Sequence, residues 1–153
     1  MDEASRRVDT GITAHAHPKE RLVSASTITM SRHVDLSYAD AVARIKATLK
    51  DEGFGVLTEI DVQATLREKI GAEFRAYTIL GACNPGLAHR ALQAALEVGA
   101  LLPCNVLVYE DDGGGSTVSI FDPATGMSVV PVPGLDAIAA EARERLSRAL
   151  AAV

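Results

Sequence analysis

Two cysteines, Cys83 and Cys104, are the residues of this 153-residue chain with the most specific chemistry. Cys83 directly precedes Asn84 and Pro85. This pair predicts a helix start, because Pro is favoured at the first helical position and Asn accepts a hydrogen bond from a free backbone N–H. A thiol at a helix N-terminus lies near the positive end of the helix dipole, which favours the thiolate and lowers the thiol pKa. Cys104 follows Pro103 and precedes a predicted strand, so it lacks such a helix start.

The spacing of the two thiols leaves several kinds of chemistry open. Twenty residues separate them, which is not a zinc pattern, because a structural zinc site needs four ligands and the chain has no C-x-x-C pair. His89, on the helix after Cys83, is a candidate partner for thiolate activation or for a soft ion such as Cu(I). Three alternatives remain: both cysteines are small buried residues, they form a thiol-redox or soft-ligand site, or they line a pocket for a small molecule.

An intrachain disulfide is not expected from the predicted elements. A helix over residues 84–97 would be roughly 21 Å long at about 1.5 Å per residue. If this helix connects two parallel strands, the cysteines lie at opposite ends of the sheet, whereas a disulfide needs Cα atoms within about 7 Å. A pair formed across a dimer interface escapes this limit.

Two carboxylates, Glu59 and Asp61, form a second candidate site. At a predicted strand end they lie on one face, within reach of a shared proton or a hard cation. The alternative is structural: Glu59 is an edge residue and Asp61 caps the following helix. Lys69, near the end of that helix, is either an anion contact or a complement to the helix dipole. Hydrolysis with Glu59 and Asp61 as acid and base ranks last, since no nucleophile, metal or oxyanion donor accompanies them.

The histidines and the glycine run carry weaker signals. His15 and His17 lie two apart in a polar segment without a third ligand. His33, near a predicted strand end, is a candidate pH-sensitive group or a surface residue. The run Gly113–Gly115 does not predict a phosphate loop, because a strand follows it where a nucleotide loop needs a helix.

Strands and helices that position these residues follow from apolar spacing, caps and glycine stops. Predicted strands are 26–34, 54–60, a run ending at Cys83, 105–109 and 116–121. One predicted helix begins after Ser37, and the others cover 62–70, 84–97 and 135–150. The last two strands form a hairpin. These elements predict an α+β fold: a two-layer α/β sandwich with about five strands in a single mixed sheet and helices mainly on one face. The strand order stays open.

Composition limits the class of protein. With 48% hydrophobic residues and no Trp, the chain predicts one domain, residues 26–153, after a flexible polar tail, residues 1–25. A net charge of -5 argues against nucleic-acid binding, which depends on Lys and Arg at the phosphates. Neither a secretory signal nor an apolar run of about 18 residues occurs, so we expect no membrane span and a cytoplasmic location, where thiols stay reduced.

Four segments resemble the bacterial and archaeal family of domain of unknown function 302 (DUF302). They are GFGVLTEIDVQATLREKIGAEFRAY (53–77), LGACNPGLA (80–88), LLPCNVLVYED (101–111) and FDPATGM (121–127). The matching positions are Glu59, Ile60, Asp61, Lys69, Tyr77, Cys83, Asn84, Pro85, Pro103 and Cys104. The resemblance implies a small α/β fold that often forms dimers. It transfers no catalytic role, because the family has no established general activity.

Residues and resemblance together predict a homodimeric module that binds a small ligand or a partner without catalysis. Its site would lie around Cys83, Asn84 and the strand end with Glu59 and Asp61. The alternative is a thiol-redox, soft-metal or haem-handling protein in which Cys83 reacts or ligates and Cys104 completes the site across a dimer. No particular cofactor follows from the sequence.

Overall fold

The computed structural model describes residues 28–153. The strands are β1 (Thr29–Val34), β2 (Gly55–Asp61), β3 (Tyr77–Cys83), β4 (Cys104–Glu110) and β5 (Ser116–Phe121). The α-helices are α1 (Tyr38–Asp51), α2 (Val62–Ile70), α3 (Pro85–Ala94), α4 (Pro123–Met127) and α5 (Leu135–Ala151), and a 3₁₀ helix, Leu96–Leu101, follows α3. None of the helices within residues 28–153 combines the length and the hydropathy that a membrane span requires. The predicted tail, residues 1–25 with His15 and His17, lies outside the described residues.

All five strands form one sheet in the order β1-β5-β4-β3-β2. The prediction of a single sheet of five strands is confirmed. Every neighbouring pair is antiparallel. The sheet is therefore fully antiparallel, whereas a mixed sheet was expected. Strands β2 to β5 are neighbours in their sequence order, and β1 closes the far edge beside β5.

One face of the sheet is covered by helices, which confirms the two-layer architecture. Because strand side chains alternate between faces, every second residue of β3, β4 and β5 points into this layer. The buried residues that form this core include Ile45 and Leu49 of α1, Leu146 of α5, and Leu80, Val106, Val108, Val118 and Ile120 of the sheet.

Helix starts follow local chemistry. Ser37, Asp61 and Asn84 each accept a hydrogen bond from the backbone N–H three residues later, at 3.1, 2.9 and 3.1 Å. Each of these bonds satisfies an N–H that has no partner within the helix. The three predicted caps are therefore confirmed, and α1, α2 and α3 begin where the sequence places them.

Two elements differ from the prediction. Helix α3 ends at Ala94 and not near residue 97, and the chain continues as the 3₁₀ helix Leu96–Leu101, with Val98 buried. Helix α4 lies between β5 and α5, where no helix was predicted. It begins with Pro123 at its first position and is capped by Asp122, whose carboxylate accepts from the backbone N–H two residues later at 2.9 Å.

The opposite face of the sheet carries aromatic and aliphatic side chains. Tyr77 and Tyr109 stack with their ring centroids 5.3 Å apart, and the Phe74 ring lies 5.9 Å from that of Tyr77. Ile60 and Phe74 are 47% and 43% exposed. We call this the outer face and define it by Ile60, Phe74, Tyr77, Ile79, Leu107 and Tyr109.

Candidate functional site

The two cysteines lie at the same end of the sheet. Cys83 ends β3, Cys104 begins β4, and the antiparallel register pairs Ala82 with Cys104. Cα atoms offset by one residue on neighbouring strands are roughly 6 Å apart. Because side chains alternate along β3, Cys83 has the opposite orientation to Ala82 and Cys104, so a disulfide would need a local movement of the end of β3. Both cysteines are free thiols. The expectation that they lie at opposite ends of the sheet is therefore wrong.

The chain returns to this end because the connection is a helix followed by a second, oppositely directed segment. The ten residues of α3 span about 15 Å. The six residues of the 3₁₀ helix Leu96–Leu101 span about 12 Å at about 2.0 Å per residue, enough to lead the chain back. A cis peptide bond joins Leu102 to Pro103, directly before Cys104.

A cavity of about 40 Å³ lies between this end of the sheet and helices α3, α4 and α5. Cys83, Asn84, Cys104 and Met127 contribute to its wall, and the other lining side chains are aliphatic, aromatic or Pro. A single water needs about 10–15 Å³, whereas organic ligands occupy pockets of about 300–1,000 Å³. The space therefore suits a ligand of a few atoms.

Burial keeps both thiols protonated. Cys104 is 8% exposed, and burial, followed by the neighbouring Cys83, raises the Cys104 pKa from 9.0 to about 11. Burial also raises the pKa of Cys83. The prediction that the Cys83 pKa is lowered is thus wrong in direction. Protonated thiols are poor nucleophiles at neutral pH.

Asn84 and Pro85 set the geometry beside Cys83. The Asn84 side-chain oxygen accepts from the backbone N–H of Leu87 at 3.1 Å, and Pro85 occupies the first helical position, as predicted. Leu87 is buried and lines the cavity. The cap therefore fixes the direction in which α3 leaves β3 and forms part of the cavity wall.

Gly81 lies where Pro103 crosses β3. A Cβ at Gly81 would come within 2.8 Å of Pro103 Cγ and would also collide with the hydroxyl oxygen of Thr58. Real Cβ contacts are essentially never that short, so a larger residue at this position has to displace one of its neighbours. Gly81 thus allows Pro103 to pack against β3 directly before Cys104.

The predicted carboxylate pair lies away from the cavity. The Glu59 carboxylate is 2.6 Å from the Lys46 ammonium, and Asp61 caps α2. Gly55 is the β2 residue in register with Cys83. Glu59 is four residues further along β2, roughly 13 Å from that point. Neither carboxylate lines the cavity, and each has the structural role that was given as its alternative.

His89 and Lys69 are also outside the cavity. His89 is exposed on α3, and Lys69 is exposed with its ammonium 3.6 Å from the Glu68 carboxylate. Within residues 28–153, no group of three or more His, Cys, Asp or Glu side chains is arranged to hold a metal ion. Of the predicted site residues, the structure brings together Cys83, Asn84 and Cys104, with Pro85 beside them.

Met127, Ala139 and Ala142 line the cavity and were not anticipated from the sequence. The two alanines share the buried side of α5, which its periodic pattern predicts. Periodicity does not tell which strands or helices that side meets. Met127 ends α4, a helix that was not predicted, so no local signal connected it to the cysteines.

Comparison with known proteins gives a family and a fold. The family model described as "Domain of unknown function DUF302" matches residues 30–153. A crystal structure of an uncharacterized conserved DUF302 protein from Bacillus stearothermophilus is 34% identical, with a TM-score of 0.76. That match covers 81% of this chain and 96% of the other. No curated protein matches the sequence significantly.

Proposed function

The chain belongs to the DUF302 family, and we propose that it is a homodimeric binding module without catalytic activity that holds a ligand of a few atoms in its thiol-lined cavity. The observation that carries this proposal is the cavity itself: two thiols and the Asn84 amide contribute to an otherwise largely apolar space of about 40 Å³. Haem or another drug-sized ligand would need a pocket of about 300–1,000 Å³.

The environments of the candidate reactive groups favour binding over catalysis. A nucleophilic cysteine needs a lowered pKa, and burial raises the pKa of both thiols. Glu59 forms an ion pair with Lys46, and Asp61 forms the α2 cap, so both carboxylates already have structural roles. A largely apolar wall with few polar groups is typical of binding sites.

Native mass spectrometry of protein purified without chelator or added metal tests the ligand site, together with a visible absorption spectrum. We expect an excess mass on the wild type that is lost in Ala139→Leu, because Ala139 is buried at the cavity and three added carbon atoms would fill it. Ala140→Leu is the matched control, since Ala140 is exposed on the same helix. A bare wild-type chain, or an excess mass that Ala139→Leu retains, would contradict the proposal.

The proposed dimer uses the outer face. Helices α1 and α5 contribute to the core on the other side of the sheet, and the outer face exposes the aromatic pair of Tyr77 and Tyr109 with Phe74 and Ile60 beside it. Exposed apolar patches of this kind mark sites of protein association. A second copy of the chain offers the same apolar face, and twofold pairing of identical patches is the commonest closed assembly.

Size-exclusion chromatography with light scattering tests the dimer. We expect the wild type to elute as a dimer and Ile60→Glu as a monomer, because a charge placed in an apolar interface loses its hydration without gaining a partner. Leu96→Glu is the control: Leu96 is 82% exposed in the 3₁₀ helix, so the variant should remain dimeric. A monomeric wild type at all concentrations would remove this part of the proposal and leave the ligand site untouched.

Thiol redox chemistry within one chain is the second candidate function. The cysteines lie at the same end of the sheet on neighbouring strands, and a local movement of the end of β3 would bring the Cys83 side chain to Cys104. Here a two-electron oxidant such as a peroxide would join the two sulfur atoms and itself be reduced to water. A reducing cytoplasm, the location predicted from the sequence, would keep the dithiol form at rest. Intact mass after peroxide treatment, about 2 Da below that of the reduced chain, would support this function. An unchanged or heavier chain would oppose it.

A further inference from the structure

We propose that the chain has a second binding site, a groove between β1, α1 and the end of α5 that takes a small organic acid, with the acid's carboxylate at Arg32 and Arg44. The groove has a volume of about 670 Å³, within the range of about 300–1,000 Å³ that organic ligands occupy. Within the described part of the chain, no residue lines both this groove and the thiol-lined cavity, so the two sites are independent.

The two arginines of the groove come from different elements and meet at the end of α5. Arg32 is paired with the core residue Val118 in the β1–β5 register, so its side chain lies on the helical face of the sheet. Its Nη1 donates to the carbonyl oxygen of Ala151. Arg44 of α1 donates from Nε to the carbonyl oxygen of Ala152 at 3.2 Å. Because these carbonyls belong to consecutive residues, the two guanidinium groups lie close together at one end of the groove.

Arg32 and Arg44 differ from the other arginines in their charge partners. Every other arginine within residues 28–153 forms an ion pair with an Asp or a Glu: Arg67, Arg75, Arg90, Arg143, Arg145 and Arg148. Over the same residues, no carboxylate pairs with Arg32 or Arg44. A guanidinium has five N–H donors in a fork that matches a carboxylate, and the bonds to α5 use one nitrogen of each group. The remaining donors can bind an anionic ligand.

The acidic residues of the groove have other partners. Asp40 lies four residues before Arg44 on α1, a spacing that allows an ion pair. Its carboxylate instead accepts from the Ser37 hydroxyl at 2.7 Å. The Asp35 carboxylate lies 3.3 Å from Nε2 of His33. Neither carboxylate forms an ion pair with the two guanidinium groups, so a ligand carboxylate can take that place.

The end of α5 prepares the arginine pair for an anion. Ordering a long side chain costs entropy on binding, and the bonds to the α5 carbonyls already hold both guanidinium groups in place. The C-terminus of a helix carries about half of a negative elementary charge. Two guanidinium groups exceed that charge, so this end of the groove keeps a net positive charge.

The other walls of the groove determine which kind of anion fits. They include the aliphatic side chains of Val34, Leu36, Ala43, Ala47 and Val153. A largely apolar pocket with a few polar groups at one place suits a ligand with a charged head and a hydrocarbon body. An inorganic anion would leave the apolar walls uncovered, which is why the arrangement favours an organic acid.

An NMR titration of the isotope-labelled full-length chain with octanoate tests the groove. We expect saturable shifts of the backbone N–H signals of Ala43, Ala47 and Val153 below about 10 mM octanoate. Octanol lacks the charge and sulfate lacks the hydrocarbon body, so each should bind at least about 10-fold more weakly. Arg44→Gln should weaken octanoate binding by about 10-fold, because it removes a charge-assisted hydrogen bond. Arg67→Gln is the matched control, since Arg67 lies on α2 and pairs with Glu73, and it should bind like the wild type.

Ala47 provides a test that leaves the contacts with α5 intact. It is exposed on α1 and lines the groove. Ala47→Glu places a carboxylate three residues after Arg44, where it pairs with the guanidinium and repels the ligand, so binding should weaken by about 10-fold. Ala47→Lys changes the same position without adding a negative charge and should bind octanoate at least as tightly as the wild type.

Several outcomes would overturn the groove as a site for an organic acid. They are the absence of saturable shifts with octanoate, shifts confined to residues outside the groove, and binding that neither Arg44→Gln nor Ala47→Glu weakens. Ala139→Leu, which fills the thiol-lined cavity, should leave octanoate binding unchanged. Loss of octanoate binding in that variant would place the ligand in the cavity and remove the groove proposal, whereas failure of the groove alone leaves the cavity proposal standing.

Discussion

Cys83 and Cys104 line one cavity from neighbouring strands, because Ala82 and Cys104 are paired across β3 and β4. Two opposing effects act on the Cys83 thiol. The N-terminus of α3 favours the thiolate, and burial in an apolar wall favours the thiol. The pKa of Cys83 is raised, and burial is the cause. Both cysteines at this end of the sheet are therefore neutral thiols at neutral pH.

Slow alkylation of the native protein at pH 7 is the first expectation. With a pKa of about 11, only about 1 in 10,000 Cys104 thiols is ionised at pH 7. Cys83 is more exposed and should react faster than Cys104. Iodoacetamide labelling resolved by peptide mass spectrometry, in native and in urea-unfolded protein, measures both rates. Labelling of native Cys104 as fast as in the unfolded chain would contradict the burial of this thiol.

The Asn84 cap should support both stability and the cavity wall. Asn84→Ala removes the hydrogen bond to the Leu87 N–H, so we expect a loss of about 1 kcal/mol in the free energy of unfolding. The first turn of α3 would also loosen and expose Cys83 to faster alkylation. Urea denaturation and thiol labelling measure the two effects. Ser37→Ala, which removes the α1 cap, is the control: it should cost similar stability without changing the Cys83 labelling rate.

Cap chemistry is the part of the site that the sequence predicts well. Asn84 followed by Pro85 specifies a helix start by local rules alone, because the side chain bonds within three residues and Pro already has helical φ. Asp61 specifies the start of α2 in the same way. These interactions need no knowledge of the rest of the fold, so the first turn beside Cys83 could be placed before the structure was known.

The position of the two cysteines at the same end of the sheet depends on tertiary contacts. After Ala94 the chain contains good helix formers and no Pro, so local rules extend α3 to about residue 97. The helix ends earlier: Ala95 has an extended backbone, and Val98 of the 3₁₀ segment is buried with Ala91 and Leu135 of α5. The direction of β4, which begins at Cys104, depends on the path of this connection. Local rules do not give that path, and the parallel crossover that they suggested was wrong.

Gly81 should not tolerate a side chain. Gly81→Ala brings a Cβ into collision with Pro103 and Thr58, and overpacking of this kind costs about 1–3 kcal/mol. Gly55→Ala is the control, because nothing lies within 4 Å of its Cβ position on β2. We expect Gly55→Ala to be neutral or slightly stabilising in urea denaturation. Equal stability of the two variants would show that Pro103 can move away from β3 without cost.

His33 should make stability depend on pH near neutrality. Its Nδ1 lies 2.7 Å from an Asp111 carboxylate oxygen and its Nε2 lies 3.3 Å from Asp35, and these bonds raise the His33 pKa above 6.5. A raised pKa means that the stabilisation is fully present below about pH 6.5 and is lost as the pH rises through the folded pKa. His33→Gln should therefore lose more stability at about pH 5.5 than at about pH 8. NMR titration of the His33 ring gives the pKa directly, and Asp111→Asn should lower it. A His33 pKa at or below 6.5 in the wild type would show that these two carboxylates do not hold the imidazolium in solution.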